Sequence, residues 1–232
     1  MTDAPTPNPD EMAQLFEGGP NTDAVVPTIH AEAMDFLASF DSSSAGAVIL
    51  DPPYSVRTAS SYRSRDDGAA GSVFGPFSLM GRAMSETHRI LDDGCCAVVF
   101  SDWRRMSDLA YLGSLLGLRT ASCVAWVRTT VGTGGLFRSQ WDPILLLSKG
   151  NPRVPDRSGI PNVVTANKPR GGHPYAKPVE VYTHVLGRIC LPGELVVDPF
   201  AGSANSRAAA VAVGLRWAGC DIDSAWAEAP DV

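Results

Sequence analysis

The sequence lacks the features that would place a protein in a membrane, outside the cell or around a metal ion. No apolar run approaches the roughly 20 residues that a membrane-spanning helix needs. The amino terminus, MTDAPTPNPDE, has neither the basic nor the apolar region of a signal peptide, which predicts a cytoplasmic protein. The five cysteines of the chain form no CxxC pair and stand at no zinc-ligand spacing from a histidine, so no metal site is expected. What remains is a chain of 232 residues with 44% hydrophobic content, enough for one sizeable core.

Charge is unevenly distributed along the chain. The net charge of −6 argues mildly against a polyanionic partner, and residues 1–50 contain no lysine or arginine. Residues 119–177, in contrast, hold nine basic residues against two acidic ones. Because a polyanion responds to local charge, this stretch is suited to nucleic acid. A basic surface that only faces solvent is the alternative.

The order of sequence patterns predicts an α/β fold. Residues 1–24 are rich in proline, aspartate, asparagine and glycine, which predicts a flexible tail before a domain at 25–232. Within that domain short apolar runs alternate with amphipathic stretches, as in a mostly parallel central sheet with helices on both faces. Residues 150–172 carry four prolines and four glycines between scattered basic residues, so an irregular connection is expected there.

One buried strand is expected to end on an acidic residue. Ala47–Leu50 form an apolar run typical of a strand buried on both faces, and Pro52 and Pro53 stop it directly after Asp51. Ligands bind at the carboxyl ends of strands in open α/β sheets, which makes Asp51 a candidate functional carboxylate. A plain strand-to-turn stop is the alternative.

A second strand exit lies in LVVDPFAGSANSRAAAVAVG. The strand runs into Asp198, and small residues then lead into an alanine-rich helix, which allows a ligand to approach the backbone. The next strand, RWAGCDID, ends on Asp221, where nucleotide-binding folds place an acid that contacts ribose hydroxyls. The loop lacks a full GxGxxG pattern, so a ligand with a ribose and an amino-acid carboxylate fits better than a dinucleotide. A tight turn and a helix cap are the structural alternatives for the two acids.

DPPY at 51–54, followed far downstream by DPFAGS at 198–203, resembles the beta class of amino-group DNA methyltransferases that use S-adenosylmethionine. RSQWDPILLLSKG is similar to the Arg-Ser-x-His-Glu strand of these enzymes, and HPYAKPVEVYTHVL to their His-Pro-x-x-Lys-Pro segment. The resemblance covers residues 28–226. It implies a Rossmann-like methyltransferase fold with a circularly permuted order of motifs, in which the catalytic half precedes the cofactor loop.

The resemblance implies a catalytic role for Asp51, Pro52, Pro53 and Tyr54. An exocyclic amine is a poor nucleophile because its lone pair is delocalised into the ring of the base. The Asp51 carboxylate and the Pro52 carbonyl would accept hydrogen bonds from its two N–H groups and direct the lone pair towards the methyl group. Pro53 would stiffen the loop, and Tyr54 would stack on the base after it leaves the duplex.

The resemblance also implies a binding site for S-adenosylmethionine. Its residues would be Glu32, Asp51, Lys177, Asp198, Pro199, Phe200, Gly202, Ser203 and Asp221. The methionine end would lie near Lys177 and the loop after Asp198. Two departures concern this site and its surroundings: Ala204-Asn205 stand where glycine and threonine are common, and Trp141-Asp142 replace the His-Glu pair.

The expected partner is double-stranded DNA, bound by a monomer or homodimer. The candidate DNA-contacting residues are Arg57, Arg63, Arg65, Arg138 and Arg170, with a short recognition segment at 150–172. Aspartate rather than serine at position 51 favours adenine N6 over cytosine N4 by the family pattern. RNA or a protein glutamine as substrate, and a protein that binds without turnover, remain the alternatives.

Overall fold

A computed structural model of the chain describes residues 28–52, 75–132, 136–155 and 159–227. Eight strands form one sheet in the order β1-β8-β7-β2-β3-β5-β4-β6. In chain order they are Ile29–His30 (β1), Ala45–Leu50 (β2), Leu91–Phe100 (β3), Leu118–Val127 (β4), Trp141–Lys149 (β5), Val163–Thr165 (β6), Leu195–Asp198 (β7) and Arg216–Asp221 (β8). The described helices are Ala33–Ala38 (α1), Gly75–Ile90 (α2), Met106–Leu115 (α3), Val179–Ile189 (α4), Asn205–Ala212 (α5) and Ser224–Ala227 (α6).

The sheet is mostly parallel, as predicted. Only β5 runs against its two neighbours, β3 and β4, while the other paired strands of the described sheet are parallel. The short strand β6 lies in the segment that was expected to be wholly irregular. It forms because Val163–Thr165 pair with Ala125–Val127 at the carboxyl end of β4.

Helices cover both faces of the sheet, which also confirms the prediction. All six residues of β2 are buried, and their side chains alternate between the two faces. Val48 and Leu50 pack with α1 and α2 on one face, and Ala47 and Ile49 pack with α4 and α5 on the other. The alternation of β2 carries Asp51 to the α4 face of the sheet. None of the described helices combines the length and hydrophobicity that a bilayer-spanning segment requires.

The three predicted acidic strand ends lie along one edge of the sheet. Strands β2, β7 and β8 are adjacent and parallel, so their carboxyl ends point the same way. Asp51 follows β2, Asp198 ends β7 and Asp221 ends β8. This edge is where the candidate site is built.

Candidate functional site

Asp51 is paired with Lys177 at the carboxyl end of β2. The Nζ of Lys177 donates a hydrogen bond to Oδ2 of Asp51 and another, of 3.3 Å, to the carbonyl of Tyr175. The same ammonium group lies 5.4 Å from the centroid of the Phe100 ring. Both side chains of the pair are 13% exposed. The structure therefore brings a residue predicted for cofactor binding into direct contact with the predicted catalytic carboxylate.

Asp198 fixes the loop after β7 by accepting hydrogen bonds from that loop and from the start of α5. Its Oδ1 accepts the backbone N–H of Phe200 at 3.1 Å, and its Oδ2 accepts the hydroxyl of Ser206 at 2.5 Å. Ser206 in turn accepts the indole N–H of Trp217 at 3.1 Å. With 1% of its surface exposed, Asp198 shapes this loop rather than facing solvent.

The pKa of Asp198 is raised to about 7, chiefly because burial disfavours the carboxylate. The native state therefore keeps a proton that the unfolded state releases near pH 4, so the free energy of unfolding falls as pH rises from about 4 to about 7. We expect Asp198→Asn to remove this dependence. The free energy of unfolding of this variant in urea, relative to the parent, should rise between pH 5 and pH 8 by about 3 kcal/mol. A difference that stays constant with pH would contradict this assignment.

Asp221 holds the same loop from the neighbouring strand. Its Oδ2 accepts the N–H of Gly202 at 2.8 Å, and its Oδ1 accepts the N–H of Asp223 at 2.9 Å. Gly202 has a φ of 49°, and a Cβ atom there would lie 3.4 Å from the ring of His173. The loop thus favours glycine at 202 for its backbone conformation, while an added Cβ would meet the His173 ring only at ordinary van der Waals distance.

Glu32, the predicted contact for the cofactor adenine, caps the start of α1. Its Oε2 accepts the N–H groups of Met34 at 2.7 Å and Asp35 at 3.3 Å. The preceding residue, Ala31, donates its N–H to the carbonyl of Asp221 at 3.1 Å. Glu32 and Asp221 are therefore neighbours at this edge.

The departures at 204 and 205 both have structural consequences. Ala204 adopts a left-handed conformation with a φ of 54°, which costs an alanine about 1–2 kcal/mol and which glycine adopts without strain. Asn205 donates from Nδ2 to the carbonyl of Lys177 at 2.7 Å. Asn205 thereby links the loop after β7 to the lysine that pairs with Asp51, a role that no sequence pattern indicated.

The departure at 141 and 142 creates a second charged pair. Arg128, which is 9% exposed, donates from Nη1 to Oδ2 of Asp142. Its guanidinium also lies 5.4 Å from the centroid of the buried Trp126 ring. Arg128 follows β4 and Asp142 is the second residue of β5, so the pair lies at the edge that carries Asp51 and extends the charged site across the sheet. No sequence pattern indicated Arg128, because the pair depends on the register of two strands.

His173 covers the loop after β7 and was also missed as an individual residue. Its ring packs edge-on against Trp226, with centroids 4.7 Å apart, and against Gly202. Burial lowers the pKa of His173, and the Asp221 carboxylate opposes that shift. The only signal in the sequence was its place in the HPYAKP segment.

The remaining predicted residues fall into three groups. Pro52, Pro199, Phe200 and Ser203 lie in the loops that follow β2 and β7, while Arg138 and Arg170 are exposed. Arg138 donates from Nε to the carbonyl of Gly132 at 2.7 Å. Pro53, Tyr54, Arg57, Arg63 and Arg65 lie outside the described residues, as does the predicted tail at 1–24.

Comparison with known proteins assigns most of the chain to one family. Residues 46–229 match the family described as DNA methylase. The chain is 24% identical over 199 residues to YubD of Escherichia coli strain K12, covering 84% of this chain and 83% of that protein.

Solved structures show the same fold. The PvuII DNA methyltransferase, which is cytosine-N4-specific, aligns with a TM-score of 0.71 at 15% identity, covering 88% of this chain and 86% of its own. The M1.HpyAVI–SAM complex aligns with a TM-score of 0.64 at 16% identity, covering 85% of this chain and 93% of its own. At these identities the structural likeness establishes the fold.

Proposed function

Because the chain belongs to the DNA methylase family, we propose that it moves a methyl group from S-adenosylmethionine to the exocyclic N6 of a flipped adenine in double-stranded DNA. The observation that carries the proposal is the position of Asp51. Its carboxylate follows β2, beside the two strands whose terminal acids, Asp198 and Asp221, organise the predicted cofactor loop. A proton acceptor for the target amine therefore lies next to the place where a methyl donor would bind.

The residues at this edge suit S-adenosylmethionine as the cofactor. The ligand carries a positive sulfonium centre, and the carboxylates of Asp51 and Asp221 supply negative charge at this edge of the sheet. Gly202 leaves backbone space, and the carboxylate of Asp221 stands where a ribose would be held. When bound, S-adenosylmethionine supplies an electrophilic methyl group.

Asp51 and Pro52 would position the target amine. The Asp51 carboxylate would accept a hydrogen bond from one N–H of the amine and the Pro52 carbonyl a hydrogen bond from the other, which localises the lone pair on nitrogen. The rings of Phe100 and Tyr182 pack edge to face with centroids 5.2 Å apart, and the ammonium group of Lys177 lies over the Phe100 ring. Because the amine lies inside a duplex, the base must leave the stack, and the family resemblance assigns its stacking partner to Tyr54.

Cytosine N4 is the second candidate for the methylated atom. The cytosine-N4 specificity of the PvuII enzyme, which shares this fold, favours it. Aspartate at position 51 favours adenine through the family pattern. The two amines are chemically alike, so the choice depends on the shape of the base pocket.

The test is methyl transfer from labelled S-adenosylmethionine to unmethylated genomic DNA, followed by nucleoside analysis. We expect N6-methyladenine, and sequencing of the modified DNA would give the target site. N4-methylcytosine as the sole product would replace adenine with cytosine. Label that enters RNA or protein but not DNA would overturn the proposal.

A further inference from the structure

The hairpin between β4 and β5 exposes two large apolar side chains next to each other. Leu136 is 92% exposed and Phe137 is 87% exposed, and we call these two residues the apolar tip. If a partner covered these side chains, each would contribute a free energy close to that of burying an apolar side chain in a protein core. Two adjacent side chains with this exposure therefore indicate a binding surface.

The hairpin presents the apolar tip on a fixed base. Backbone pairing continues beyond β4 and β5. The N–H of Arg128 donates to the carbonyl of Gln140 at 2.8 Å, and the N–H of Gly132 donates to the carbonyl of Ser139 at 2.7 Å. Asn167, at the end of β6, accepts from the N–H and the hydroxyl of Thr129 at 3.0 and 2.8 Å. These contacts join the two arms of the hairpin to each other and tie its base to the segment that follows β6.

The hairpin projects from the edge of the sheet that carries Asp51. Strands β5 and β4 are the second and third strands from β2 on that side. At about 4.8 Å per strand the base of the hairpin lies about 10–14 Å from the end of β2, close to the major-groove width of about 12 Å. A duplex that delivers a nucleotide to Asp51 would therefore lie against the hairpin.

The charge around the apolar tip favours nucleic acid over a second protein surface. Arg138 follows the tip directly, and Lys168 and Arg170 are exposed after β6 at the same edge. The only acidic residue between positions 119 and 155 is Asp142, which is paired with Arg128. An apolar pair followed by an arginine, at an edge that also carries exposed Lys168 and Arg170, suits the stacked bases and flanking phosphates of DNA.

We propose that Leu136 and Phe137 form a wedge that enters the DNA duplex where the target nucleotide leaves the stack. The inference rests on the proposed function. A flipped base leaves its neighbours unstacked, and an apolar side chain in the gap recovers part of that loss. Arg138 would meanwhile contact an adjacent phosphate.

The test compares two substrates that carry the target site found by sequencing. One is a matched duplex, and the other places an abasic position opposite the target base, so that little pairing must be broken. We expect Leu136→Ala/Phe137→Ala to lower kcat/KM on the matched duplex by about 10- to 100-fold, and to stay within about threefold of the parent on the other. The matched control is Tyr111→Ala, which removes an aromatic side chain that is 67% exposed on α3 and should change neither value.

Three outcomes would overturn the wedge. They are an equal loss on both substrates, full activity on both, and a change in solution mass showing that the tip joins two copies of the chain. Circular dichroism of the double variant checks that the fold is retained. If the parent protein transfers no methyl group to either DNA, the proposed function fails instead, so the two failures are distinguishable.

Discussion

Replacing Asp51 with alanine is expected to lower methyl transfer to DNA by at least about 100-fold, the scale on which losing one preorganised polar contact slows a reaction. Alanine removes the acceptor that would hold the target amine, while the loops after β7 and β8 keep their own contacts. Asp51→Asn should lose less, because an amide oxygen still accepts a hydrogen bond. Steady-state transfer of labelled methyl groups to DNA measures both variants.

The matched control is Asp92→Ala, which removes an exposed aspartate from the opposite end of the sheet, near the start of β3. It should leave transfer unchanged. Asp51→Ala deprives the largely buried Lys177 of a described partner, so its thermal unfolding and its affinity for S-adenosylmethionine should be measured alongside. Undiminished transfer by a folded Asp51→Ala protein would remove Asp51 from the mechanism.

The arrangement of strands could be predicted where local pattern and topology agree. The run Ala47–Leu50 is wholly apolar because β2 is buried on both faces, and the pattern revealed this directly. Two features escaped. Strand direction is not encoded in an apolar run, so the antiparallel β5 could not be recognised from DPILLLSKG, and Val163–Thr165 is too short to show a period.

In the candidate site, only those residues whose positions follow from the ends of strands could be predicted from the sequence. Asp51, Asp198 and Asp221 were found because the carboxyl ends of parallel strands meet at one edge. Contacts between distant segments were not found: Lys177 and Asp51 are 126 residues apart. The Arg128–Asp142 pair likewise requires the register of β4 and β5, which no sequence motif specifies.

The contact between Lys177 and Asp51 changes what the lysine is expected to do. The family resemblance places Lys177 near the methionine end of the cofactor, and its loss would then weaken cofactor binding. The structure places its ammonium group on the Asp51 carboxylate, and Asn205 fixes the backbone of Lys177 by donating to its carbonyl. A lysine in that position orients the acceptor for the target amine, so its loss should slow the transfer step itself.

We therefore expect Lys177→Met to lower kcat by about 10- to 100-fold, the value of a hydrogen bond to a charged group, with little change in the Kd for S-adenosylmethionine. Lys149→Met is the matched control, because Lys149 is similarly buried, at 17% exposure, and donates to the Leu91 carbonyl at 2.8 Å on the opposite edge. In a double-variant cycle, Lys177→Met should add little to Asp51→Asn, since both act through one contact. A large rise in Kd, with kcat recovered at saturating cofactor, would instead return Lys177 to the cofactor site.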